Sequence, residues 1–344
     1  MKKLSLVLVL MLLLTAIITG CGAEDEAPAD VADEKVEDFS IKIQLSHVFS
    51  PKDQLSIEMA NAADIIRERT DGAVDIQVFD SGQLPVYKEG LEQVVRGANF
   101  ISVEDPSYVG DYVPDFVALI GPMLYETYEE YAAMMETALV AELKERAAEE
   151  GIKILTLEVM FGFRNMITDK EIVTPEDMEG MLIRVPNSQL WIETLGAMGA
   201  TATPLPWNEA VPALRQKVVH GIEGSATTML HHKIYEMLGH VSMTKHFLGT
   251  AGVYINTDVF YSMPEKYQKI VQEEFVAAAR RNNEILIANN EDVVNQLKEK
   301  GVKFNEVDAD AFRARTSVVF ETFEGLTPGI YDRIMGELKI IRGN

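Results

Sequence analysis

The chain has 344 residues, 47% of them hydrophobic and 25% charged, with 31 basic against 54 acidic side chains and a net charge of −23. That apolar mass excludes disorder and collagen-like repeats for the bulk of the chain and suffices for one large or two medium lobes. A surface this acidic repels polyanions, which excludes nucleic acid as a partner, and a single cysteine excludes an intrachain disulfide.

Lys2 and Lys3 precede an apolar run from Leu4 to Ile18, shorter than the roughly 20 residues that span a bilayer as a helix. Thr19, Gly20 and Cys21 follow. The Ile18-Thr19-Gly20-Cys21 string resembles a bacterial lipobox, so residues 1–20 are expected to be a lipoprotein signal peptide and Cys21 the lipidation site. The alternative is a core cysteine ending a signal-anchor helix. The leader's removal takes two lysines with it and places the protein outside the cytoplasm, lipid-anchored to the membrane at the cell surface or in the periplasm. Residues 21–40, acid-rich and almost free of large apolar side chains, read as a solvated tether.

From Ile41 the hydrophobic period keeps switching between two and about 3.6. Ile41 to Leu45 alternates as a strand, Asp53 to Arg69 is helical, and Val74 to Val78 alternates again. A helix from Tyr87 to Gly97 and a strand from Asn99 to Val103 follow. Thr127 and Glu130 have capping-box spacing, opening a helix that carries Tyr131, Met134, Met135, Leu139 and Leu143 and closes at Gly151. Ile152 to Val159 is the next strand. This alternation implies parallel pairing and an α/β fold.

Beyond residue 160 the pattern restarts. Thr174-Pro175 starts a helix, Met181 to Val185 is a strand, and Ser188 to Leu195 is a helix closed by Gly196. Ser262 and Glu265 form a second capping-box pair, and no breaker appears before Gly301. Some 35 helical residues extend roughly 50 Å, longer than one lobe. The economical architecture is a two-lobed binding-protein fold with a hinge, a cleft between the lobes and a long helix bracing both. Lobe I takes 41–163 plus about 248–275, and lobe II takes 164–247 plus the C-terminal helices, about 276–344.

Catalytic strings are absent: no GxSxG, HExxH, Walker loop or GxGxxG occurs. Ser242 and Lys245 match S-x-x-K, with no SDN or KTG string to accompany them. His220, His231, His232, His240 and His246 cluster in sequence, but their spacing fits no standard metal-ligand set. Two arginines stand out. Phe161-Gly162-Phe163-Arg164-Asn165 and Ile183-Arg184-Val185-Pro186-Asn187 each end a strand, so both guanidiniums are expected to project toward the cleft. An arginine among apolar residues is costly to bury without an anion, and its planar fork matches a carboxylate. The competing assignment for either arginine is a salt bridge to one of the protein's own acids.

The strings FGFRN, TPEDMEG, IRVPN, LGAMGATATPLPWNEA and ALRQKVVHGIEG between Phe161 and Gly224, with IQLSHVFSP at 43–51, ERTDGAVDIQVFDSGQLP at 68–85 and YEMLGHVSMTKH at 235–246, resemble the solute receptors of TRAP (tripartite ATP-independent periplasmic) transporters, the family often labelled C4-dicarboxylate-binding. The resemblance spans nearly all of the mature chain. It implies that Arg184 forms the defining salt bridge to a substrate carboxylate, that Arg164 is a second anion contact, and that Asn187 follows as a ligand contact. It implies that Trp207 packs on the ligand, and that His47 and Glu104 close the first and third strands as polar contacts. Gly224 stands where an asparagine often touches ligand, and His220 replaces an acid. The implied partners are a small carboxylate-bearing solute and two membrane permease subunits driven by an ion gradient; no cofactor or metal is implied.

Glu104, Asp105, Tyr108, Asn187 and His47 suit hydroxyl groups better than a second carboxylate. The expected ligand is therefore a hydroxylated monocarboxylate, a uronate or other sugar acid, ahead of a C4-dicarboxylate. A sensory lipoprotein presenting ligand to a membrane kinase is the alternative function, and an extracellular enzyme a third.

Overall fold

The computed structural model describes residues 39–343. The signal-peptide and Cys21 assignments, and all but the last two residues of the tether, lie outside the described residues. Among the described residues nine strands form one mixed sheet: β1 (Ile41–Ser46), β2 (Val74–Phe79), β3 (Phe100–Glu104), β4 (Ile152–Thr168), β5 (Leu182–Val185), β6 (Thr201–Pro204), β7 (Gly221–Gly224), β8 (His240–Asn256) and β9 (Lys303–Asn305). Their order is β2-β1-β3-β8-β4-β7-β5-β6, with β9 pairing to β8.

Local sequence explains the first half. In β1, Ile43 and Leu45 are buried while Lys42 and Gln44 are exposed, the period-2 pattern of a strand with one face on the core. The helix Gln54–Arg69 buries Leu55, Met59, Ala62, Ala63 and Ile66, a stripe at i, i+4, i+7, i+8 and i+11. That stripe joins β1, β2 and the start of the helix Glu265–Glu299 in one apolar cluster. Each fully buried side chain of this size contributes about 1.5–3 kcal/mol.

The helix Glu265–Glu299 has the expected 35 residues. Its Ile270, Val271, Phe275, Ala278 and Ala279 pack with β1, β3 and the end of β8, whereas its Val293 and Leu297 pack with Ile222, Met229 and Val241. One rod thus serves two cores.

Several expectations need correction. Pairing is parallel only for β1 with β2 and β3, for β5 with β6 and β7, and for β8 with β9; β3–β8, β4–β7 and β4–β8 are antiparallel. Alternation of strand and helix cannot show this, because β4 and β8 are 17-residue strands that run through both halves of the sheet. β4 therefore does not end at Val159, and Arg164 lies inside it rather than at its end. Its register with β8 slips four times, once between Met160 and Gly162, where Gly162 takes φ +99°, a conformation open to glycine.

The segment after Thr127 is two helices, Tyr128–Met135 and Ala138–Glu149, because Thr137 caps the second with its Oγ1 accepting from Val140 N. The Thr127 cap forms as expected, accepting from Glu130 N at 3.1 Å, but the Glu130 carboxylate reaches back to Glu126 N instead of Thr127 N. Thr174 does form a capping box, over a single 3₁₀ turn, Pro175–Met178. Ser262 caps nothing: its hydroxyl donates to Val259 O, and Pro264 precedes the long helix.

Candidate functional site

The sheet order β4-β7-β5 places Glu223 of β7 between Arg164 of β4 and Arg184 of β5. Arg164 is bidentate on the Glu223 carboxylate, through Nε to Oε2 and Nη2 to Oε1, the latter at 2.7 Å. Arg184 is 2% exposed and gives Nε and Nη2 to the carbonyl of Leu205 at 2.9 and 2.6 Å. Its Nη1 lies 4.0 Å from Glu223, beyond hydrogen-bond range. A guanidinium has five donors, so Arg184 has N–H groups beyond the two given to Leu205, with the Tyr87 hydroxyl among its neighbours. Of the two competing assignments for these arginines, the protein's own acid takes Arg164 directly, while Arg184 stands at the salt-bridge limit from the same carboxylate.

Both guanidiniums line a cavity of about 120 Å³, where one water needs roughly 10–15 Å³. Arg164 Cζ sits 4.8 Å from the Trp191 ring and 5.4 Å from Phe161; Arg184 Cζ sits 5.2 Å from Trp207. Aromatic faces attract such cations and keep water off them. Trp207 also donates its backbone N–H to the Tyr87 hydroxyl at 3.0 Å, and its ring meets His232 edge-on at 4.9 Å.

The opposite wall is acidic. Glu104 ends β3 and accepts from the backbone N of Tyr87 at 2.7 Å, which holds Tyr87 at φ +56° where its helix begins. Burial pushes the Glu104 carboxyl up to about 8, the Tyr87 N–H only partly opposing it, so near pH 7 it is mostly protonated and carries a proton to donate. Burial also raises Asp105, whose carboxylate accepts from Ser107 N at 2.8 Å. Burial works against the charge on Glu223, but Arg164 beside it, then His246 and Arg184, hold its carboxyl below the usual range. Burial holds His246 down at about 4. The Tyr108 hydroxyl and Trp191 Nε1 are buried without a hydrogen-bond partner, and both residues line the cavity. Buried polar atoms normally find partners, so these two await a guest or water.

Arg164, Arg184, Glu104, Asp105, Tyr108 and Trp207 line the cavity; His47, Asn187 and Gly224 do not. His47 is fully buried with neither ring nitrogen bonded, and burial lowers it to about 4. Asn187 is exposed, and Gly224 is buried in β7 opposite Asn165. Sequence reasoning missed Glu223, Tyr87, Trp191, Asp53 and His232. Nothing in the Gly221-Ile222-Glu223-Gly224 run separates a buried counter-ion from a surface acid.

The histidines scatter: His220 accepts from Leu182 N, His231 meets Asp53, and His246 faces Glu223. Among the described residues no group of three or more His, Cys, Asp or Glu is placed to hold a metal, and no helix is long and apolar enough to cross a membrane. The hydroxyl of Ser242 is engaged by Ile172 N and Asn305 Oδ1, so S-x-x-K here is packing.

The family model for bacterial extracellular solute-binding protein, family 7, matches residues 45–325. Three solved structures, each of a TRAP periplasmic solute-binding protein, are similar. One from Desulfovibrio salexigens, in complex with diglycerolphosphate, is 52% identical, covering 89% of this chain and 98% of that one with TM-score 0.87. One from Fusobacterium nucleatum, with bound sn-glycerol-3-phosphate, is 40% identical, covering 88% and 98% with TM-score 0.86. One from Ochrobactrum anthropi, with bound L-fuconate, is 30% identical, covering 87% and 99% with TM-score 0.81.

Proposed function

The chain belongs to family 7 of the bacterial extracellular solute-binding proteins, and from that premise we propose that it is the extracytoplasmic receptor of a TRAP transporter, capturing a small hydroxylated organic anion and handing it to the membrane permease subunits. The family is one of receptors, not of enzymes. The observation that carries the ligand class is the cavity head: two buried guanidiniums, one counter-acid between them, and a wall of protonated or hydroxyl groups facing them.

The sugar-acid preference keeps its physical basis, one anionic head among hydroxyl partners, and the L-fuconate-bound relative supports it. The 52% and 40% identical relatives hold glycerol phosphate esters, and a phosphate oxygen pair fits an arginine fork as a carboxylate does. We therefore place polyol phosphates first, sugar acids such as uronates second and C4-dicarboxylates third. Anchoring through acylated Cys21 and the 21–40 tether belongs to the same proposal. So do the lobes, 41–163 with about 248–275 and 164–247 with about 276–344, which close about β4 and β8 where their register is broken.

A thermal-shift panel of diglycerol phosphate, sn-glycerol 3-phosphate, galactonate, fuconate and malate identifies the class, since a ligand at 100 times its Kd adds about 2.7 kcal/mol. Calorimetry with the best of these then tests the site. Removing one member of a buried ion pair costs about 3–5 kcal/mol, so Arg184→Ala weakens binding by roughly two to four orders of magnitude. A loss below about fivefold contradicts the assignment.

A further inference from the structure

We infer that Glu223 sets the charge of the ligand: by neutralising Arg164 within the sheet it leaves the anion seat with one surplus positive charge, so the receptor selects monoanions over dianions of similar size. This rests on the reading above that an anion seats against the two guanidiniums.

Arg164 and Arg184 are the only arginines or lysines among the residues lining the cavity. Glu223 is fully buried between them, and its carboxylate engages Nε and Nη2 of Arg164. Asp53 and His232 also line the cavity, the Asp53 carboxylate being engaged by Ser50 and His231; the groups around Glu223 itself are four. Arg164 comes from β4, and Arg184 from β5 at 4.0 Å. His246 comes from β8 at 3.9 Å; it hydrogen-bonds Thr244 Oγ1 through Nδ1 and is neutral near pH 7. Burial raises the carboxyl of Asp105, after β3, toward its neutral form, against the Ser107 hydrogen bond and the pull of Arg164. Glu104, pushed up to about 8 by burial, is mostly neutral near pH 7. With Glu104 and Asp105 held toward their neutral forms by burial, two guanidiniums stand against the one carboxylate between them, which leaves the seat room for one negative charge. Among groups this buried an uncompensated charge is costly.

The test uses calorimetry at pH 7.5 with two pairs of probes. Diglycerol phosphate carries one charge and sn-glycerol 3-phosphate about two, its second pKa being about 6; glycerate and malate carry one and two. Glu223→Gln is expected to raise affinity for the dianion relative to the monoanion at least tenfold in the pair that binds. Arg164→Gln/Glu223→Gln, which removes both charges, is expected to return that ratio to within about threefold of the wild type, even where absolute affinity falls. A ratio unmoved in Glu223→Gln shows an acid that merely orients Arg164 and overturns the proposal.

The wild type gives an independent readout that needs no variant to fold. Titrations in buffers of different ionisation enthalpy are expected to show about one more proton taken up with sn-glycerol 3-phosphate than with diglycerol phosphate, because the monoester enters as its monoanion. Equal proton uptake overturns the proposal. Failure of the underlying reading looks different: no probe of either charge binds the wild type, or Arg184→Ala leaves binding unchanged, and the proposal falls with it.

Discussion

At the scale of single residues, the cavity is organised by what burial does to charge. Glu104 holds its proton to about 8, whereas an unfolded glutamate releases it near 4.3. Between those values the folded state binds more protons than the unfolded, so this group's contribution to stability falls as pH rises from about 4.5 to 8 and is constant beyond. Glu104→Gln keeps an acceptor for Tyr87 N and removes the titration. The variant is expected to match the wild type near pH 5 and exceed it at pH 9, by on the order of 3–5 kcal/mol. Paired thermal melts at the two pH values check this; an equal difference at both would refute it. Arg184 makes the complementary case, since a charge that cannot be discharged has to be met by the Leu205 carbonyl and the Trp207 face, and by an anionic guest under the proposed function.

At the scale of elements, β4 is the strand that carries the broken register. Its broken register with β8 frees backbone groups that the long helix takes up. Asn282 Nδ2 donates to Met160 O at 2.7 Å, Met160 N donates to Asn283 Oδ1 at 3.0 Å, and Asn283 Nδ2 donates to Glu158 O at 2.7 Å. Losing a buried partner costs about 1–3 kcal/mol, so Asn282→Leu is expected to lower ligand-free stability by that amount, read as a shifted urea midpoint with an unchanged slope. Gly249 faces Gly162 across the same crossing, and a Cβ there would lie 2.9 Å from Gly162 O and collide with the Phe161 ring. Gly249→Ala is expected to cost about 1–3 kcal/mol in the same assay.

At the scale of the whole molecule, three of the contacts that join residues of the proposed first lobe to the second bear on closure. Asp53 Oδ1 meets His231 Nδ1 at 2.8 Å, Tyr87 Oη accepts from Trp207 N at 3.0 Å, and Ser188 Oγ donates to Ser107 Oγ at 2.9 Å. The serine pair lies outside the cavity lining, so it acts on affinity only through closure. A net hydrogen bond contributes about 0.5–1.5 kcal/mol. Ser188→Ala is therefore expected to weaken binding roughly two- to tenfold while leaving the ligand-free melting temperature unchanged. An unchanged Kd would remove the serine pair from the closing mechanism.

Much of this protein was legible in its sequence because the relevant physics is local. Alternation in Ile41–Leu45 and Val74–Val78, the stripe from Leu55 to Ile66 and the unbroken run from Glu265 to Glu299 depend only on neighbours within a turn or two, and the RVP and GxR strings carried both arginines by resemblance. What only the tertiary structure decided is non-local. That β4 and β8 run antiparallel through both halves, that Glu223 stands between Arg164 and Arg184, and that Asn187 faces solvent while Trp191 lines the cavity are facts of sheet order. An acid's environment depends on which strands flank its own, and nothing within a few residues of Glu223 encodes that.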